Sequence, residues 1–140
     1  MNILFFLKPK GQIAYVYDYH TLRQALEIME YHKFSCVPII QKDGKYVGTI
    51  TEGDLLWGIK KLGLESLKNA ENISILKIER RVDYQCVKAS SRMEDLIEKA
   101  MEQNYVPVVD DEGSFIGIIT RRDIIGYFYD KSKEESVENT

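Results

Sequence analysis

The strongest constraint on the fold of this 140-residue chain is a stretch that occurs twice. Tyr46–Leu56 reads YVGTITEGDLL and Phe115–Ile125 reads FIGIITRRDII. Gly48 and Gly117, Thr51 and Thr120, and Asp54 and Asp123 are each 69 residues apart, and the same offset relates Val37-Pro38 to Val106-Pro107 and Gly44 to Gly113. Self-similarity on this scale means two copies of one supersecondary unit that stack to share buried surface.

The unit's local structure follows from its residue types. Val37–Ile40 is a short β-branched run. Gln41–Lys45 (QKDGK) is a turn, and YVGTI is a second strand, which together make a β-hairpin. The second copy repeats this as VPVV, DDEGS and FIGII. Proline lacks a ladder donor, so Pro38 and Pro107 suggest the start of a strand or an edge position. Each hairpin runs into Thr-x-x-Asp, where threonine is a good N-cap and aspartate three residues on can complete a capping box. Thr51/Asp54 and Thr120/Asp123 therefore have two readings. They cap helices and do nothing more, or they hold a nucleotide, with backbone N–H groups and a threonine hydroxyl on phosphate and the carboxylate on ribose hydroxyls.

Two copies of hydrophobic–Gly–x–Ile–Thr–x–x–Asp in register, each behind Val-Pro and a Gly-containing turn, resemble a tandem pair of CBS domains, the family named after cystathionine β-synthase. The resemblance covers about Leu7 to Tyr129. It implies an α+β fold of two β-α-β-β-α repeats packed about a pseudo-two-fold axis, the Bateman module, with adenosyl ligands in clefts between the repeats. The chain then divides into a first repeat at 1–61, a connector at 62–76, a second repeat at 77–129 and a tail at 130–140. That tail, DKSKEESVENT, has little to bury and reads as disordered.

Along the chain, Met1–Leu7 reads as a short strand or helix and Gln12–Tyr17 as a strand. Thr21 caps a helix with a stripe of Leu22, Ala25, Leu26 and Met29. Trp57 seals either the repeat boundary or a dimer face, and Gly126 stands at its place in repeat two. The connector reads as a short helix, a turn at Glu71-Asn72 and a second short helix opening repeat two. Lys77, Arg80 and Arg81 form a basic cluster just after it, either a solvated face or a ligand contact. In repeat two, Ser90 or Ser91 caps the stripe Met93, Leu96, Ile97, Ala100 and Met101. Leu22 maps to Met93 at an offset of 71, so repeat two is two residues shorter between helix and hairpin.

The net charge of −3 argues against a general nucleic-acid surface. The longest apolar run, Ile3–Leu7, is too short for a membrane span or a signal-peptide core. Cys36 and Cys86 lack metal or redox spacing and read as reduced thiols of a cytoplasmic protein. No nucleophile grouping, P-loop or metal motif is present, so neither a catalytic nor a metal site is expected.

Carried over from the family, each cleft combines one repeat's first strand and Val-Pro run with the other repeat's Thr-x-x-Asp. The first cleft joins Gln12, Ala14, Cys36, Val37 and Pro38 to Thr120, Arg121, Arg122 and Asp123. The second joins Asp83, Gln85, Tyr105 and Val106 to Thr51 and Asp54. Arg121-Arg122 stands where repeat one has Glu52-Gly53. Charge-assisted arginine–phosphate bonds favour the first cleft, and the carboxylates of Asp83 and Glu52 disfavour phosphate in the second. The resemblance thus implies a stand-alone, non-catalytic regulatory module. It has no cofactor but takes an adenine nucleotide (cyclic di-AMP, AMP, ADP or ATP) as regulatory ligand, forms a homodimer and acts through an unidentified effector protein. The alternatives are a structural dimerisation module with degenerate pockets and a cryptic enzyme acting on the nucleotide.

Overall fold

The structure is a computed structural model and describes residues 1–138. Both expected hairpins form. β3 (Cys36–Ile40) pairs antiparallel with β4 (Tyr46–Thr51), setting Val37 opposite Ile50. β6 (Tyr105–Val109) pairs in the same way with β7 (Phe115–Thr120), setting Val106 opposite Ile119. The turns need a left-handed residue, supplied by Gly44 (φ 95°) and Gly113 (φ 86°). Each hairpin gains a two-residue parallel strand: β2 (Val16–Tyr17) on β3, and β5 (Val87–Lys88) on β6. Pro38 and Pro107 therefore lie inside central strands, contrary to the edge or start position suggested by their chemistry. The short outer strands explain this. β2 meets β3 only at Ile39 and Ile40, and β5 meets β6 only at Val108 and Val109, so each proline stands beyond the end of that ladder.

The parallel strands are joined to the hairpins by α1 (Leu22–His32) and α3 (Met93–Ala100). α1 opens with a capping box between Thr21 and Gln24. α3 starts later than the serines suggest: Ser91 Oγ accepts the Lys88 N–H and closes the preceding turn, and Arg92 is the cap position. The second-repeat helix is shorter, 8 residues against 11, as the changed offset requires. Each hairpin ends in a further helix, α2 (Glu52–Leu62) or α4 (Arg121–Glu138).

Two apolar cores form, and each takes in chain from beyond its own repeat. β1 (Lys8–Pro9) pairs with β7, giving sheets ordered β1-β7-β6-β5 and β2-β3-β4. Ile3 and Phe6, on a 3-10 turn before β1, enter the second core with Leu96, Val106, Ile119 and Ile124. Ile75 and Ile78 enter the first core with Val16, Leu22, Val37 and Ile50. Burying each such side chain is worth about 2 kcal/mol, so these segments are structural members of the opposite unit. The connector is also latched to the head of α1, through Leu22 N–H to Ile73 C=O at 2.8 Å and Ile75 N–H to His20 C=O at 3.0 Å.

Three local expectations change. Gln12–Tyr17 is strand only at Val16–Tyr17, because Lys10–Gln12 forms a 3-10 turn packed on β7. The connector holds three 3-10 turns, Leu64–Leu67, Ala70–Asn72 and Ile75–Lys77. The tail is helical as far as Glu138, and residues 139–140 lie outside the described residues. Its lysines and glutamates are good helix formers. Lys131 lies over the Tyr127 ring at 5.6 Å and Lys133 over Tyr129 at 4.7 Å, which supports the helix one turn at a time. No helix among the described residues is long and apolar enough to cross a membrane.

Candidate functional site

The heads of α2 and α4 carry the repeated Thr-x-x-Asp, and the two are built differently. At α2, Thr51 Oγ1 accepts the Asp54 N–H at 3.0 Å, and Asp54 Oδ2 accepts the Thr51 N–H at 3.0 Å. The other carboxylate oxygen, Oδ1, accepts the Arg81 N–H, from the start of the second repeat, at 2.8 Å. Asp54 is only 2% exposed. Both of its oxygens are spent on backbone groups, so it fastens the start of the second repeat to the first.

At α4 the threonine keeps its part, accepting the Asp123 N–H at 3.1 Å. The Asp123 carboxylate caps nothing. Its partner among the described residues is Lys8 Nζ at 3.5 Å, with the two side chains 48% (Lys8) and 40% (Asp123) exposed. The two arginines diverge. Arg121 turns back to the end of α3, where Nε donates to Ala100 C=O at 2.7 Å and Nη2 to Met101 C=O at 3.5 Å. Arg122 is exposed, and its guanidinium has no partner among the described residues. It lies between two hollows of about 520 and 530 Å³. The second of these is also lined by Leu7, Lys8, Asp123, Tyr127 and Asp130. Gly126 borders both hollows, and a Cβ there would meet open space. At the corresponding place in repeat one, Trp57 carries Arg81 at 5.4 Å and Lys60 at 5.3 Å from its ring centre.

The remaining first-cleft residues are placed as follows. Gln12 is exposed at the end of the turn that packs on β7, the strand that ends in Thr120. Ala14 is half-buried between that turn and β2. Cys36 is half-buried beside Ser35, Tyr84 and Asn104, and burial pushes its thiol up from the ordinary value. Asn104 C=O in turn accepts the Arg121 N–H at 2.9 Å, so Cys36 and the head of α4 share a neighbour. Val37 and Pro38 are buried, and Val37 belongs to the first core, which leaves their main chain as the part able to meet a ligand.

In the second cleft the protein's own side chains are packed together. Tyr105 is buried, and its hydroxyl lies 2.6 Å from Thr49 Oγ1, itself 2.9 Å from the Tyr46 hydroxyl, which donates to Tyr84 C=O at 3.0 Å. Burial in this cluster pushes the Tyr46 and Tyr105 hydroxyls well above the usual tyrosine range. Gln103 is also buried, accepting the Gln85 N–H and donating to the carbonyls of Gln85 and Tyr105. The Gln85 side chain is held by Asp83 at 2.8 Å. Val106 is fully buried, and the Arg80 side chain covers Gly48. Sequence reasoning missed Lys8, Tyr46, Thr49 and Gln103. Thr49 was detectable, since it puts a hydroxyl where repeat two has Ile118, at a strand position that needs a partner if buried. Among the described residues, no group of three or more His, Cys, Asp and Glu side chains is placed to hold a metal ion.

Comparison with known proteins bears on this arrangement. The CBS domain family matches residues 9–61 and 78–130, which is more than half of the chain. The uncharacterized protein MJ1426 of Methanocaldococcus jannaschii is 30% identical over 139 residues, spanning 79% of this chain and 82% of that protein. The structure of CbpB in complex with c-di-AMP superposes with a TM-score of 0.84 at 24% identity, covering 99% of this chain and 91% of that one. That of CBSX2 in complex with AMP gives 0.73 at 23% identity, covering 94% and 98%. With its two hairpin-and-helix units and both copies of the motif matched, the chain belongs to the CBS-domain family as a tandem pair, an α+β Bateman module.

Proposed function

We propose that the module binds an adenine nucleotide at the head of α4 and signals its occupancy to a separate effector protein. One observation carries this reading: Asp123 and Arg122 are available to a ligand at a helix N-terminus, whereas Asp54 is consumed by backbone contacts. The chemistry fits a nucleotide, with ribose hydroxyls donating to Asp123, phosphate against Arg122 and the helix N–H groups, and the base toward Gln12, Ala14 and the main chain at Cys36–Pro38. Thr120 shapes the helix entry, and Arg121 holds α3 and α4 together. The solved relatives with c-di-AMP and with AMP support the ligand class.

The second cleft, formed by Thr51, Asp54, Asp83, Gln85, Tyr105 and Val106, is the non-binding one in this reading, and the protein has no catalytic role. Calorimetry with adenosine, AMP, ADP, ATP and cyclic di-AMP tests the proposal. At least one phosphorylated ligand should bind at one site per chain, and Asp123→Ala should abolish or severely weaken that binding. A folded protein that binds none of the panel overturns the sensor reading. Nucleotide recovered with product after prolonged incubation overturns the non-catalytic one.

A second reading, a dimerisation module, draws on exposed apolar side chains. Leu56 on α2, and Ile125, Phe128 and Tyr129 on α4, are all exposed. A homodimer through helix faces is compatible with both readings. Of the other apolar side chains of α4, Ile124 lies in the second core and Tyr127 packs on Phe5 and Phe6, so the exposed set with Trp57 of α2 is Ile125 and Phe128. Sedimentation at tens of micromolar protein should give twice the chain mass.

A further inference from the structure

Lys8 lies outside the repeated motif and outside both clefts as the family pattern draws them. β1 nevertheless fixes it by backbone pairing, with Lys8 opposite Ile118, two residues before Thr120. Its ammonium is 3.5 Å from the Asp123 carboxylate and lines the same hollow as Arg122. Arg121, the other cation at this helix head, is engaged by carbonyls of α3. Lys8 is therefore the second cation within reach of an anion beside Arg122. It is also the group a ribose must share Asp123 with.

These positions make two recognition events interdependent. A 2′,3′-diol donates hydrogen bonds to Asp123 without neutralising it, and leaves Lys8 a carboxylate neighbour on one side. A 5′-phosphate then supplies the second anion, and Lys8 can bridge the two. Without the phosphate, the diol competes with Lys8 for the carboxylate and gains little. A cyclic dinucleotide has its 3′-oxygens esterified, so each ribose offers Asp123 one hydroxyl instead of two.

We propose that Lys8 and Asp123 form a recognition pair that selects a 5′-mononucleotide with a free 2′,3′-diol over both the bare nucleoside and a cyclic dinucleotide. This rests on the nucleotide-binding reading above and names the ligand class of that site.

The test is calorimetry of AMP, adenosine and cyclic di-AMP on the full chain and on its Lys8→Gln and Lys8→Arg variants. The Lys8 side chain is half exposed and its strand pairing is backbone, so both variants should melt with the wild type. Wild type should bind AMP at least about tenfold tighter than the other two ligands. Lys8→Gln should lose about tenfold for AMP and nothing for adenosine, and Lys8→Arg should recover most of the loss. Equal losses for AMP and adenosine, or no loss for either, would overturn the pair. Tighter binding of cyclic di-AMP than of AMP by wild type would overturn the selection while leaving nucleotide binding intact. A wild type that binds none of the three removes the nucleotide reading itself, and this inference with it.

Discussion

The heads of α2 and α4 are the same eight-residue pattern used for two purposes. In repeat one the motif's aspartate is turned inward and its surroundings are filled: Asp54 holds two backbone N–H groups, Arg80 covers Gly48, and Trp57 is overlaid by Arg81 and Lys60. In repeat two the matching aspartate faces a half-exposed lysine, and Gly126 leaves space where the tryptophan would stand. A motif therefore licenses a function only after its hydrogen bonds have been counted, because a carboxylate with both oxygens occupied by the backbone has nothing left for a ligand.

The largest difference should appear at the motif glycines. A Cβ on Gly117 would come within 2.2 Å of Lys8 C=O, a backbone atom with no freedom to move, so Gly117→Ala must dislodge β1. The cost should exceed about 3 kcal/mol in urea unfolding. At Gly48 the obstacle is the Arg80 side chain, 2.6 Å away at Nε, which can swing aside; Gly48→Ala should cost less than about 1 kcal/mol. Equal costs would mean that the two strands are crowded for the same reason.

Next come the aspartates. Asp54→Ala leaves the part-buried N–H groups of Thr51 and Arg81 without their acceptor and should destabilise by roughly 2 kcal/mol. Asp123→Ala loses one half-exposed ion pair, worth less than about 1 kcal/mol, while removing nucleotide binding. Stability and affinity should thus separate cleanly between the two positions. If Asp123→Ala unfolded the protein as readily as Asp54→Ala, the contrast between a fastening and a free carboxylate would fail.

A smaller effect of opposite sign is expected at Gly126, a helix-interior glycine with open space beyond its missing side chain. Gly126→Ala should raise stability by about 0.5–1 kcal/mol, read as a higher melting temperature. Gly126→Trp, which copies repeat one, should close the hollow beside Arg122 and weaken AMP binding.

The smallest effect concerns pH. His20 and Ser91 occupy matching turns: His20 Nδ1 accepts the Tyr17 N–H, and Ser91 Oγ accepts the Lys88 N–H. Burial lowers the imidazole below its ordinary value of 6.5. The unfolded chain then binds the proton more readily than the folded one, so the imidazole's contribution is present above pH 6.5 and declines as pH falls through and below that value. His20→Gln should flatten this decline between pH 7 and 5 in thermal melts, and Ser91→Ala should leave its slope unchanged.

What the sequence disclosed was local. The hairpins, the helix caps at Thr21 and Thr51 and the apolar stripe of α1 depend on residues a few positions apart, which spacing reports directly. Of the stripe expected on α3, Leu96 and Ala100 are buried and Met93 packs on the core, whereas Ile97 and Met101 are exposed, Met101 beyond the helix end. The roles of Asp54 and Arg121 were hidden because they depend on partners 27 and 21 residues away. Side-chain type permits an arginine to bind phosphate or to hold carbonyls, and only the fold decides between them. The helical tail was missed for another reason: low hydrophobicity argues against burial, but an exposed helix continuing from a packed one needs no new nucleus.

The pairing of β1 with β7 sets a timetable for synthesis. Lys8 leaves the ribosome 110 residues before Ile118, its partner across the sheet. At ordinary elongation rates that is a wait of roughly 5–20 s, during which Ile3 and Phe6 have no second core to enter. The first repeat's sheet, by contrast, can assemble as soon as the connector emerges with Ile75 and Ile78. Ile3 and Phe6 therefore stay without their apolar partners until β6 and β7 have been made.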